Sequence, residues 1–203
     1  MGLKESYNKI AKDWDKDHQS DSWWIEGTDY FCSLFKPGDS LVDVGCGSGV
    51  KAEYLTNKGL QVTGIDISEN MIELSQRRVP RAEFLVLGME DVYSLEEEFH
   101  GVFAQASLLH VPKKKALQVV GEFAKVTKPE GFVYIAVKEK RENGPDEEVK
   151  KENDYGYEYE RFFSYFTPEE IIYYMQSNNL EVVYQDVRAS GKTNWIQAIG
   201  KKS

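Results

Sequence analysis

Residues 42–50 read VDVGCGSGV, a short apolar run and an acid, followed by three glycines alternating with two small residues. An apolar strand running into glycines this closely spaced describes a strand-to-helix turn where bare main chain approaches a bound molecule. Outward from this turn, strands and helices alternate. SLVDVG (40–45) is a buried strand, and a helix runs from Ser48 to about Lys58, ending at Gly59. LQVTGID (60–66) is the next strand. Ser68 then caps a helix with Glu69 in its first turn and Arg77-Arg78 in its last, both favourable to the helix dipole, and Pro80 closes it. AEFLVLG (82–88), GVFAQAS (101–107) and FVYIAV (132–137) follow as strands. A helix from Pro112 to about Val126 and a KPEG turn (128–131) separate the last two. This rhythm predicts a parallel sheet with right-handed crossovers.

The two ends differ from this middle. Residues 3–16 place Leu3, Tyr7, Ile10, Ala11 and Trp14 on one helical face, and SWWIEGTDYFCSLF (22–35) turns helical from about Glu26. After Lys138 the stretch 138–154 is mostly charged and reads as a mobile loop, leading into the aromatic-rich YGYEYERFFSYF (155–166). Thr167-Pro168-Glu169-Glu170 has the form of a helix start, with a capping threonine, a proline at the first position and a glutamate reaching back. LEVVYQDVR (180–188) and NWIQAIGK (194–201) are expected to form an antiparallel hairpin.

The 203 residues suit one domain. No apolar stretch approaches the roughly 18–20 residues needed to span a bilayer, and the polar N-terminus carries no signal-peptide core. Two cysteines, Cys32 and Cys46, suggest neither a disulfide framework nor a metal site, so a reducing cytoplasm is the simplest setting. A net charge of −9 repels nucleic acid and anionic membranes. The acids Asp154, Glu158 and Glu160 among the aromatics also argue against a nucleic-acid groove.

The glycines decide between ligand classes. The dinucleotide fingerprint, Gly-x-Gly-x-x-Gly, requires its third glycine where Val50 stands. The chain has Gly45, Gly47 and Gly49 instead, with Asp43 before them and Asp66 ending the next strand about twenty residues on, where an acid accepts bonds from both ribose hydroxyls. Asp43-Val44-Gly45-Cys46-Gly47-Ser48-Gly49 and Gly64-Ile65-Asp66-Ile67-Ser68 resemble the first two motifs of class I S-adenosylmethionine-dependent methyltransferases, of the kind acting on small molecules. Met89-Glu90-Asp91, the segment from Ala104 to Pro112, and Thr127-Lys128-Pro129-Glu130-Gly131 continue the resemblance in order, over about residues 38–137.

The resemblance implies a Rossmann-like α/β fold with a seven-stranded, mostly parallel sheet, the last strand antiparallel and helices on both faces. It divides the chain into an N-terminal helical cap (1–36), a cofactor-binding core (38–137), a lid insertion (138–166), and a C-terminal helix and β-hairpin (167–203). The implied cofactor is S-adenosylmethionine, leaving as S-adenosylhomocysteine. Gly45, Cys46, Gly47 and Gly49 would pass beneath its methionine part near Asp43, and Asp66 would hold its ribose. Ile67, Leu87 and Met89 would sandwich the adenine, with Ala106 at the tip of the fourth strand. The family often has an aspartate where Gly88 stands, for the adenine amino group; Glu90 or Asp91 would have to serve instead. Tyr7 and Trp14 would close over the cofactor, and no metal is implied.

Methyl transfer is an in-line displacement that needs alignment and dryness more than a catalytic signature. His110, directly after the fourth strand, is the candidate for proton handling, and Arg161 for pairing with a carboxylate of the substrate or the cofactor. Trp23, Trp24, Tyr159 and Tyr165 are candidates for the small-molecule acceptor. Plainer readings stand beside these: an ordinary glycine turn, Asp66 as a helix cap, Met89 and Tyr7 as core, Cys46 as filler, His110 bonded to backbone, Arg161 facing solvent. A nicotinamide-dependent oxidoreductase and a non-catalytic S-adenosylmethionine-binding protein are the competing functions. A monomer or homodimer is expected.

Overall fold

The computed structural model describes residues 2–19 and 21–203; Met1 and Ser20, within the 1–36 segment, lie outside the described residues. Its centre is a seven-stranded sheet in the order β3-β2-β1-β4-β5-β9-β8. The strands are β1 (Ser40–Val44), β2 (Gln61–Asp66), β3 (Glu83–Val86), β4 (Phe99–Gln105), β5 (Thr127–Lys138), β8 (Leu180–Ser190) and β9 (Thr193–Lys202). Pairing is parallel from β3 through β5, while β9 runs antiparallel to both β5 and β8, as expected. β1 is buried on both sides, which explains why its sequence shows an apolar run and no alternation. The chain reverses its direction of travel across the sheet between β1 and β4, so the carboxyl ends of those strands open a crevice.

Helices cover both faces. On one side α5 (Lys113–Lys125) and α6 (Pro168–Ser177) bury Val119, Phe123 and Met175 against Val42, Val133 and Ile196. On the other, α2 (Ile25–Ser33), α3 (Val50–Asn57) and α4 (Glu69–Arg78) bring Phe31, Leu55 and Ile72 onto Leu41, Val62 and Phe103. Each such fully buried side chain contributes about 1.5–3 kcal/mol relative to an exposed one. Ser68 caps α4 through Met71 N–H at 3.1 Å, and α6 begins with a full capping box, Thr167 with Glu170.

The helix α1 (Leu3–Asp17) lies across the crevice and is held on both sides. Toward α4, Ser68 Oγ donates to Asn8 Oδ1 at 2.6 Å, Asn70 Nδ2 donates to the Asn8 carbonyl at 2.7 Å, and Arg78 pairs with Asp15 at 2.6 Å. Toward the 138–166 insertion, Ser6 Oγ donates to the Glu160 carbonyl at 2.5 Å and the Tyr157 hydroxyl to Asp13 at 2.6 Å.

Two elements differ from expectation. The segment 138–154 is not a loop throughout: β6 (Glu147–Glu152) pairs antiparallel with β7 (Tyr159–Ser164) as a separate two-stranded sheet. Its alternation is hidden because the less exposed positions Glu148, Lys150 and Glu152 are charged and meet the Tyr165 hydroxyl, the Phe163 ring face and the Arg161 guanidinium. The second difference is KPEG, which lies inside β5. Register jumps from Phe99↔Thr127 to Gly101↔Phe132, leaving Glu130 in the left-handed region, so the sequence signal for a turn is a bulge in a continuing strand.

Candidate functional site

A cavity of about 330 Å³ opens at the carboxyl ends of β1, β2 and β4, beneath α1. Its position follows from the turn after β1. Gly45 has φ +74°, and a Cβ added there would stand 2.4 Å from Ser107 Cβ, so the loop can cross the end of β4 only without a side chain. Gly45 and Gly47 line the cavity. Gly49 does not; it precedes α3 at φ +83°, where a Cβ would sit 2.9 Å from the Ser75 backbone, so it serves the packing of α3 on α4.

Asp66 ends β2 on the cavity wall. Its Oδ2 accepts the Gly47 N–H at 3.0 Å and its Oδ1 the Ser68 N–H at 2.9 Å, so it pins the glycine loop while each oxygen keeps lone pairs for a ligand. Burial pushes its carboxyl up to about 6, against the pull of those backbone donors. Asp43, at the end of β1, is 2% exposed and its Oδ2 has no hydrogen-bond partner. Burial raises it to about 7, with the Lys51 charge opposing and Asp66 adding. A buried acid with an unfilled oxygen on a cavity wall suits a bound cation or N–H donor.

Ile67, Leu87 and Met89 line the cavity on the β2–β3 side. Ala106 lines it beyond β4 with φ +55°, an unusual conformation for alanine, held by its N–H to the Ala136 carbonyl at 2.9 Å. Cys46 forms part of the wall, but burial raises its thiol well above the ordinary range, so it offers no thiolate.

The opposite side is aromatic and cationic. His110 Nδ1–H donates to the Phe162 carbonyl at 2.7 Å, which leaves Nε2 to accept the Tyr7 hydroxyl proton at 2.7 Å. Burial lowers His110 to about 3, so the ring is neutral. Arg161 makes a two-pronged pair with Glu152, both contacts 2.7 Å, and its guanidinium lies 5.2 Å from the Phe163 ring. Burial works against its charge and Glu152 restores it, leaving it firmly cationic. Trp14 stacks on His18 at 4.2 Å over the glycine loop, and Trp23 stacks on Trp195 at 4.1 Å.

The structure brings Tyr7, Trp14, Trp23, Asp43, Gly45, Cys46, Gly47, Asp66, Ile67, Met89, Ala106, His110 and Arg161 around one cavity. It places several other expected residues elsewhere. Trp24 is core, 4% exposed, with its indole N–H donated to the Asp21 carbonyl. Tyr159 is buried and bonded to Asp154, and Tyr165 faces a separate groove with its hydroxyl on Glu148. Tyr159 stands in the same phase of β7 as Arg161 and Phe163, which do reach the cavity, and Tyr165 follows the strand's end in that phase, so position along the hairpin and not the strand's two-residue period divides the aromatic run. Glu90 is exposed and paired with Lys115. Asp91 is exposed and off the cavity wall, with Oδ2 3.9 Å from the point a Cβ on Gly88 would occupy. Lys51, Gln105, Ser107, Lys138 and Trp195 also line the cavity without having been singled out. Their sequence neighbourhoods are an ordinary helix, strand ends and a charged run. Among the described residues, no three His, Cys, Asp or Glu side chains gather as a metal site, and no helix is long and apolar enough to cross a membrane.

Residues 41–131 match a family described as a methyltransferase domain. A ubiquinone biosynthesis O-methyltransferase of Chromobacterium violaceum is 29% identical over 145 residues, 65% of this chain and 60% of that protein. The putative methyltransferase YqeM of Bacillus subtilis is 32% identical over 124 residues, 58% of this chain and 48% of that protein. The chain thus spans about half the length of the curated relatives it matches. Among solved structures, the 1,6-didemethyltoxoflavin-N1-methyltransferase of Burkholderia thailandensis, with 1,6-didemethyltoxoflavin and S-adenosylhomocysteine bound, superposes with a TM-score of 0.77. The superposition covers 99% of this chain and 87% of that one at 16% identity, a likeness of fold.

Proposed function

The chain carries a class I S-adenosylmethionine-dependent methyltransferase domain, and from that premise we propose that it transfers a methyl group from S-adenosylmethionine to a small-molecule acceptor. The observation that carries the proposal is Asp66, a strand-end carboxylate tied to the Gly47 N–H and still open to a sugar diol. The unfilled Oδ2 of buried Asp43 fits an amino-acid ammonium, and the bare backbone at Gly45 leaves room for it. In this reading residues 38–137 hold the cofactor, while the cap (1–36) and the insertion (138–166) enclose the acceptor.

When bound, the cofactor supplies a sulfonium-activated methyl group for in-line displacement. The chain's residues have the tasks of binding, aligning and excluding water. Ile67, Leu87 and Met89 offer an apolar slot for a planar base. For its amino group Asp91 is favoured over Glu90, because Asp91 stands beside Gly88 and Glu90 is engaged by Lys115. Trp14 and Tyr7, on α1, close the top. His110 has both ring nitrogens engaged and a strongly lowered basicity, so it acts as a positioning residue through Tyr7. With its proton committed to His110 and one lone pair facing Arg161, the Tyr7 oxygen keeps one lone pair that can accept an N–H or O–H of the acceptor. Arg161, fixed by Glu152, holds the Tyr7 hydroxyl from the other side at 3.5 Å.

The test is calorimetry with S-adenosylhomocysteine. Wild-type protein should bind it and not NADH, and Asp66→Ala should lose about 1.5–3 kcal/mol, roughly ten- to hundredfold in affinity. Equal binding by the variant, or a preference for NADH, overturns the reading. Transfer of labelled methyl to a panel of small molecules then separates an enzyme from a binding protein.

A further inference from the structure

We infer that the methyl acceptor is an anionic small molecule whose carboxylate or phosphate group docks on Lys138, at the β5 end of the cavity beside Phe163 and Trp195. The inference deepens the proposed function and rests on it.

Lys138 is the last residue of β5 and lies opposite Trp195 in the β9 register. It is half-buried and lines the cavity. Its ammonium stands 4.1 Å from the centre of the Phe163 ring and 5.7 Å from that of Trp195. Other cations near it have carboxylate partners: Arg161 has Glu152 at 2.7 Å, and Lys150 has Glu148 at 3.5 Å. Lys138 has no ion pair among the described residues; Glu148 and Glu152 act on it only at longer range, and Arg161 and Lys150 oppose its charge.

An ammonium partly out of water and short of a counter-ion is costly; the Phe163 and Trp195 faces offset part of that cost, and a bound anion would offset more. Against the chain's overall charge of −9 only a local field can attract an anion here, and Lys138 supplies a cavity-lining cation that, unlike Arg161 with its Glu152, has no carboxylate at ion-pair distance among the described residues. The sheet order supplies the last constraint. Asp66, Ile67 and Met89 follow β2 and β3, on the opposite side of the switch between β1 and β4, so Lys138 lies away from the proposed cofactor slot and on the acceptor's side. The same ammonium also borders a second groove, of about 970 Å³, along Lys140, Arg141 and Lys192, which leaves space for an anionic substituent larger than a carboxylate.

The experiment uses protein saturated with S-adenosylhomocysteine. The probes are hydroxybenzoates, aminobenzoates and indole carboxylates, each paired with its amide, together with phenyl phosphate. Binding is followed by calorimetry. Acids should bind about 10- to 100-fold more tightly than their amides, the range of a charge-assisted hydrogen bond. Lys138→Met should abolish that preference while keeping S-adenosylhomocysteine affinity, and Lys138→Arg should restore most of it. Preference for benzoates or for phenyl phosphate identifies the anion. If no acid or phosphate outbinds its neutral counterpart on wild-type protein, or if Lys138→Met keeps the preference, the inference is overturned. Loss of S-adenosylhomocysteine binding by the wild-type protein would instead strike the proposed function.

Discussion

Asp43 and Asp66 are acids lifted to about 7 and about 6 by burial, and this has a definite sign for binding. In the free protein both are substantially protonated at pH 5. An ammonium beside Asp43 and hydroxyl donors on Asp66 favour the charged forms, so binding must release protons. Affinity for S-adenosylhomocysteine should therefore rise with pH from about 5 to 7 and then level, with calorimetric heats that depend on buffer ionisation across that window. Stability of the unliganded protein runs the other way. These acids bind protons more tightly folded than unfolded, so their contribution is fullest at low pH and falls as pH rises through about 7. His110, lowered to about 3, should give the rate profile no inflection between pH 5 and 8. Gly45 offers a steric test at the same scale. Gly45→Ala meets both the +74° φ and a 2.4 Å contact with Ser107 Cβ, so urea denaturation should show a loss of about 1–3 kcal/mol.

The hairpin β6–β7 is held by polar contacts, Glu152 with Arg161 and Glu148 with Tyr165. Glu152 and Arg161 are each mostly buried, and Glu152→Gln leaves the guanidinium without its counter-charge. Hydrogen exchange should quicken across residues 147–164, with a local cost of about 1–3 kcal/mol, while the seven-stranded sheet keeps its protection. The contrast also explains what could be read in advance. Elements whose signal is apolar periodicity or a cap (β1, β2, α4, α6) were legible, because the residues that form them also carry the pattern. The glycine-loop side of the cavity was legible for a related reason: Gly45 and Gly47 answer to backbone geometry, Asp66 pins the loop, and all three sit at fixed steps along consecutive elements. The Lys138 side was not. Lys138 sits in a charged run, and its meaning comes from Phe163 and Trp195, which are distant in sequence. Trp24 and Trp23 are adjacent, yet one caps the Tyr54 ring in the core and the other stacks on Trp195 at the cavity. Only tertiary register separates such neighbours.

Across the whole molecule, α1 bridges the glycine-loop side and the hairpin, through Asn8 and Asp15 on one flank and Ser6 and Asp13 on the other. Tyr7 and Trp14 project from it into the cavity, so ligands on either side press on a common roof. S-adenosylhomocysteine should slow hydrogen exchange in α1 and in residues 155–164 together, although the proposed cofactor slot lies across the sheet from that hairpin. Asn8→Ala should remove this joint protection. The arrangement also bears on turnover. A helix tied to α4 as well as to the hairpin must detach before a ligand beneath it on the Asp66 side can pass, whereas the Lys138 end also borders a second groove. Steady-state kinetics should then follow a compulsory sequence, methyl donor on first and spent donor off last. Inhibition by the spent donor would be competitive against the donor and mixed against the acceptor.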